Sequence, residues 1–218
     1  MLEDGLSYPA RGDWIGRIII GGVLGFAGFL VIPLFALGGY LFRVMEGTIE
    51  GKDVPPEFTD WGDLIVGGIG VAVVGVVYSF VPLLLWGFVT FTLIGAGDAV
   101  GGDAGGFVAG IGVLSMLLLI PVLVIVYFLV PAAIGNYART GELKSAFDFG
   151  AILEVVTTGD YVLAVVLPIV VAILLQAVGF VLALTLVGVV LIPFVQFYGQ
   201  VAVFRMFGLA FRDVDFDA

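Results

Sequence analysis

Few side chains in this sequence could do chemistry, and their types narrow the possibilities quickly. There is no Cys and no His among the 218 residues. That removes thiol nucleophiles, disulfides, Cys/His metal sites and imidazole acid–base catalysis together. The two lysines, Lys52 and Lys144, fall in polar stretches, where no neighbouring base would activate them. A membrane enzyme would need Asp60, Asp63, Asp148 and Asp160 to converge in one cleft, around a divalent ion. No glycine run completes a nucleotide-binding fingerprint: Gly95-Ala96-Gly97 lacks the third Gly. The expectation is a non-enzymatic protein with no metal and no cofactor.

Polar side chains inside the apolar stretches are the other candidates, and three glutamines stand out. Gln196 and Gln200 are four residues apart on one helical face, and Gln176 lies in the preceding apolar run. Together they would line a polar path or a ligand pocket. The plainer alternative is hydrogen bonding between helices, at about 0.6 kcal/mol on average.

The elements that must position these residues follow from composition. The chain is 61% hydrophobic and 12% charged, with a mean hydropathy of +1.24; a soluble domain carries about 25% charged residues. Such a chain cannot cover a water-facing surface, so the expected solvent is lipid, with four to six spans of about 20 residues each. The net charge is −10, with 12 of the 18 acids Asp. Nucleic acid would repel this excess and is excluded as a partner. Concentrated salt would screen it within about 3 Å at 1 M, which points to a halophilic source. No signal peptide is expected, because the apolar run begins behind Leu2-Glu3-Asp4 and not behind a basic segment.

Charges divide the chain into blocks. Arg17 to Arg43 encloses 25 uncharged residues, Asp63 to Asp98 encloses 34, Asp103 to Arg139 encloses 35 and Asp160 to Arg205 encloses 44. A 44-residue helix would run about 66 Å, twice the hydrocarbon thickness of about 30 Å. The last block must therefore turn, within 185–193, where Gly188 and Pro193 punctuate it. A flexible linker is expected at 95–106. The first block is either one tilted span or a short hairpin bending around 25–33.

Weak internal repetition favours the hairpin. Asp13-Trp14, Asp60-Trp61 and Asp160-Tyr161 open three blocks, and Pro33…Tyr40, Pro131…Tyr137 and Pro193…Tyr198 close three, each followed by Arg43, Arg139 or Arg205. The expected fold is an all-α polytopic membrane bundle and a single domain over 1–218. It would hold six helices in three pseudo-repeated hairpins (13–46, 60–139 and 160–212), with an interfacial amphipathic helix at 142–157. In this arrangement all eight Lys and Arg lie on one side, as do both termini, and the positive-inside rule makes that side cytoplasmic. Arg205 sits near the end of its span, where it can snorkel. Trp14, Trp61 and Tyr161 are expected interface anchors. Gly21 with Gly25, and Gly106 with Gly110, have the small-xxx-small spacing of close helix packing.

Leu6-Ser7-Tyr8-Pro9, Asp13-Trp14, the stretch Pro55-Pro56-Glu57-Phe58-Thr59-Asp60-Trp61-Gly62, and Ala146-Phe147-Asp148-Phe149-Gly150 resemble a haloarchaeal multi-pass membrane family known as domain of unknown function 4013. The resemblance spans nearly the whole chain. It implies an archaeal origin and a membrane location, and carries no activity, ligand or site residue. Expected partners are membrane lipid, including a bound archaeal lipid or isoprenoid, and a second copy or another membrane protein. The expected role is assembly, membrane organisation or partner binding. The alternative is a facilitator for a small neutral or lipidic solute.

Overall fold

A computed structural model describes residues 1–212 and 214. All regular structure in these residues is helical. A short α1 (Leu2–Ser7) and a 3₁₀ turn (Tyr8–Ala10) precede α2 (Trp14–Phe26). A second 3₁₀ turn (Ala27–Phe29) leads to α3 (Val31–Ile49). Then come α4 (Trp61–Val100), α5 (Gly102–Ser115) and α6 (Leu119–Thr140). A 3₁₀ segment (Leu143–Phe147), α7 (Phe149–Val156), α8 (Gly159–Ala183) and α9 (Leu186–Arg212) complete the chain.

Among the described residues four helices are long and apolar enough to cross a membrane, α4, the run Gly102–Thr140, α8 and α9, and the bent pair Leu2–Ala10 with Trp14–Phe29 would make a fifth if it is one broken span. That is four or five where six were expected. The difference lies in the first block, which breaks into two short helices at residues 27–30. At 1.5 Å per residue the 13-residue α2 rises about 20 Å, short of a hydrocarbon layer of about 30 Å. The tip of this hairpin is apolar and exposed, with Phe29 80% accessible.

Two compact units make up the chain, Val73–Val130 and the remainder. In the larger unit the helices approach through missing side chains. A Cβ on Gly39 would stand 1.7 Å from the Leu64 carbonyl oxygen, and one on Gly68 would stand 1.8 Å from that of Phe35. Thus α3 crosses the start of α4 backbone to backbone. Gly21 and Gly22 of α2 receive the rings of Phe197 and Phe194 from α9, and Gly199 of α9 receives Leu175 of α8. Of the glycines expected to form seams, Gly21 makes such a contact, Gly25 touches Pro193 at an ordinary 3.6 Å, and Gly106 and Gly110 have open space before them.

In the smaller unit, Gly97 meets Ala109 and Gly112 meets Ile94, so α4 and α5 form a tight antiparallel pair. Trp86 Nε1 donates to the Ser115 carbonyl at 3.0 Å, and the Thr90 and Ser115 hydroxyls lie 2.8 Å apart. The linker expected at 95–106 is helical except at its middle. Gly101 alone breaks the run, and it and Gly102, the first residue of α5, have φ of +66° and +60°, a region that glycine enters without a Cβ penalty.

The other turn falls at Leu184–Thr185, at the start of the expected range. The Thr185 hydroxyl accepts from the Gly188 N–H at 2.9 Å, capping α9, while Pro193 lies within that helix. The expected interfacial helix at 142–157 is instead a 3₁₀ segment followed by the eight-residue α7. Asp148 caps α7 by accepting from Gly150 and Ala151. Ile152 and Val155 face inward, whereas Phe149 and Leu153 are exposed.

Candidate functional site

At the loop end of the larger unit, α9 carries Arg205 into the protein, and the guanidinium organises everything near it. Arg205 is 2% exposed. Its Nε donates to Asp4 Oδ2 at 2.8 Å, and its Nη1 to the Lys52 carbonyl at 2.7 Å. Its Nη2 reaches Asp53 at 3.5 Å, and its carbon lies 4.4 Å from the centre of the Tyr8 ring. A planar cation with five donors suits such a site, where a lysine ammonium would leave several acceptors unserved. Arg205 therefore does not snorkel: its partners come to it from α1 and from the loop after α3.

Two further arginines extend the network. Arg11 donates to Asp4 Oδ1 and to the Asp53 carbonyl. Arg17, itself buried, donates to the carbonyls of Pro55 and Arg11. Tyr40 donates to the Pro56 carbonyl at 3.0 Å, and Phe58 stacks on the Tyr40 ring with centroids 4.0 Å apart. The Pro-Pro-Glu-Phe stretch is thus a plug: the prolines present carbonyls that no helix consumes, and Phe58 enters the core beside Phe197. Burial works to raise the Asp4 carboxyl, but the hydrogen bonds from Arg11 and Arg205 outweigh it and hold Asp4 below its ordinary range. Burial pushes the Tyr8 hydroxyl up. The Tyr8 hydroxyl and Arg17 Nε are buried without a hydrogen-bond partner among the described residues, while the remaining donors clamp the N-terminal segment, the 50–58 loop and the end of α9 together.

A second feature is an apolar groove of about 430 Å³, lined by Leu34, Phe35, Leu41, Val71, Phe204 and Gln200 and passing Gly38 and Gly68. Gln200 Oε1 is buried there with no hydrogen-bond partner. Gln196 is half-buried and Gln176 is exposed, and neither lines this groove. The three glutamines expected to share a path are therefore not brought to one cavity. Trp14 and Trp61 are exposed. Tyr161 is fully buried beside Phe207 and Phe211. Among the described residues no group of three or more Asp and Glu could hold a metal ion, so Asp60, Asp63, Asp148 and Asp160 do not gather into such a site.

Sequence reasoning missed Asp4, Tyr8, Arg17 and Arg205 as one cluster. Asp4 and Arg205 are 201 residues apart, and no local spacing joins them. The available signal was Leu6-Ser7-Tyr8-Pro9, whose Leu6 carbonyl accepts from the Tyr198 hydroxyl.

A family model described as a protein of unknown function, DUF4013, matches residues 25–184. No curated protein and no solved structure matches the chain.

Proposed function

We propose, for a chain that belongs to the DUF4013 family of proteins of unknown function, that it works inside a membrane by holding lipid and assembling with itself or another membrane protein, without catalysis. The groove at Gln200 carries this reading. It is apolar along its length, it is formed where α3 and α4 cross, and it offers one buried acceptor that no described residue satisfies. A chain or isoprenoid bearing a hydroxyl would fill the volume and complete that hydrogen bond. The Arg205 guanidinium nearby is engaged by Asp4, the Lys52 carbonyl and the Tyr8 ring, which supports a structural role for that cluster. Four crossings and a hairpin dipping into the bilayer would keep both termini on the side that holds all eight Lys and Arg, and the positive-inside rule supports a cytoplasmic reading of that side.

A carrier for a small neutral solute is the alternative. Pro82, Pro131, Pro168 and Pro193 inside helices support it. The separation of Gln176 and Gln196 from the groove weighs against a polar path.

Native mass measurement in mild detergent tests the proposal. At least one lipid or isoprenoid should remain bound, with a species larger than one chain, and Gln200→Leu should lower lipid retention. A lipid-free monomer that is indifferent to Gln200→Leu would refute it.

A further inference from the structure

A separate cavity of about 360 Å³ opens at the loop end of α3, lined by Gly39, Phe42, Arg43, Glu46, Asp63, Gly67 and Tyr137 among others. The groove at Gln200 is almost wholly apolar, whereas charged side chains wall this one. Arg43 is already engaged, donating to the carbonyls of Thr59 at 2.7 Å and Asp60 at 3.3 Å. Glu46 and Asp63 have no ion-pair or hydrogen-bond partner for their carboxylates among the described residues. Two carboxylates against one guanidinium leave the lining with one net negative charge.

The cavity also has aromatic walls. The rings of Phe42 and Tyr137 lie 4.4 Å apart. Tyr137 is only 8% exposed, yet its hydroxyl has no hydrogen-bond partner among the described residues. It rests above Gly70, where a Cβ would stand 2.7 Å from that oxygen. The ring is buried, while the hydroxyl oxygen is not among the buried unpartnered atoms and so stays within reach of a ligand.

We propose that this cavity binds a small organic ammonium group. The reasons are chemical. An ammonium has N–H donors for Glu46, Asp63 and the Tyr137 oxygen, and its charge is attracted by ring faces. Phosphate or carboxylate would meet two like charges, and a neutral apolar chain would leave both carboxylates unpaired. A divalent metal ion would find only two carboxylates here. A free amine and an amine-bearing lipid head group present the same chemistry. This inference does not depend on the lipid groove, which lies on other residues.

Calorimetric titration of the full chain in detergent with ethanolammonium tests it, with tetramethylammonium, which has no N–H donor and should bind more weakly, as the comparison. A second arm compares thermal shifts in nanodiscs of phosphatidylethanolamine with nanodiscs of phosphatidylglycerol alone. Saturable binding of the free amine is expected, weakened by about ten-fold in Glu46→Gln, the scale of one charge-assisted contact. Asp63→Asn, at an exposed position, should weaken binding several-fold without touching the fold, and Tyr137→Phe should weaken it while keeping the ring. A response confined to phosphatidylethanolamine discs and lost in these variants assigns the ammonium to a lipid head group. No response in either arm, or amine binding that Asp63→Asn and Glu46→Gln leave unchanged, overturns the proposal.

Discussion

Replacing Arg205 with Met should lower stability by about 3 kcal/mol, the lower end of the cost of breaking a buried pair by removing one partner. The lower end applies because the partners keep some solvent: the Asp4 side chain is 34% exposed and that of Asp53 is 81% exposed. Part of the loss falls on the Lys52 carbonyl and the Tyr8 ring, which lose a donor and a cation. Arg205→Lys should fall between the two, because it keeps the charge and abandons the fork. Unfolding of the detergent-purified chain, followed thermally or in denaturant, reads the difference. An arginine that only snorkelled at a span end would change stability by no more than about 0.5 kcal/mol.

The same variant has a pH signature. The folded Asp4 carboxyl lies below its ordinary value of 3.8, so its ion pairs contribute fully above that value. The contribution is lost as pH falls through the depressed one. The gap between the wild type and Arg205→Met should therefore hold from neutral pH to about 4 and close only in stronger acid.

Gly68→Val should do at least as much damage by a different route. Its first added carbon would lie 1.8 Å from the Phe35 carbonyl oxygen and 2.6 Å from the carbonyl carbon. Backbone atoms of a helix cannot rotate aside, so α3 and α4 must separate. Overpacking typically costs about 1–3 kcal/mol, and a backbone clash belongs at or above the top of that range. Separation would also open the groove at Gln200, which Gly68 lines. Gly39→Val should behave alike, because its Cβ would meet the Leu64 carbonyl at 1.7 Å. Gly75→Ala, Gly87→Ala and Gly110→Ala have open space before them. These three should be neutral or gain up to about 1 kcal/mol of helix propensity each. Equal losses at Gly68 and Gly110 would contradict the packing described.

What could be read in advance, and what could not, divides along the range of the interaction. The helical class and the need for a turn near Thr185 follow from apolar length against bilayer thickness, a local property. The hairpin in the first block was one of two open alternatives, since 25 uncharged residues satisfy either. Which glycines pack is set by neighbours distant in sequence. Gly106 and Gly110 have the right spacing and face nothing, while Gly39 and Gly68 are separated by a loop and meet each other's helices. Tyr161 has the character of an interface anchor, but the rings of α9 cover it. The cavity at Glu46 draws on α3, α4 and α6, and no single stretch of sequence displays it.

The claim on which the rest depends is that the apolar helices lie in lipid with the Arg205 network on one face of it. A chain without native cysteine permits a direct test. Single cysteines at the exposed positions Lys52, Lys144 and Asp103 can be treated with an impermeant maleimide on sealed vesicles. Lys52→Cys and Lys144→Cys should react from the same side, and Asp103→Cys only from the other. Reaction of Lys52→Cys and Lys144→Cys from opposite sides, or of all three from one side, would contradict it.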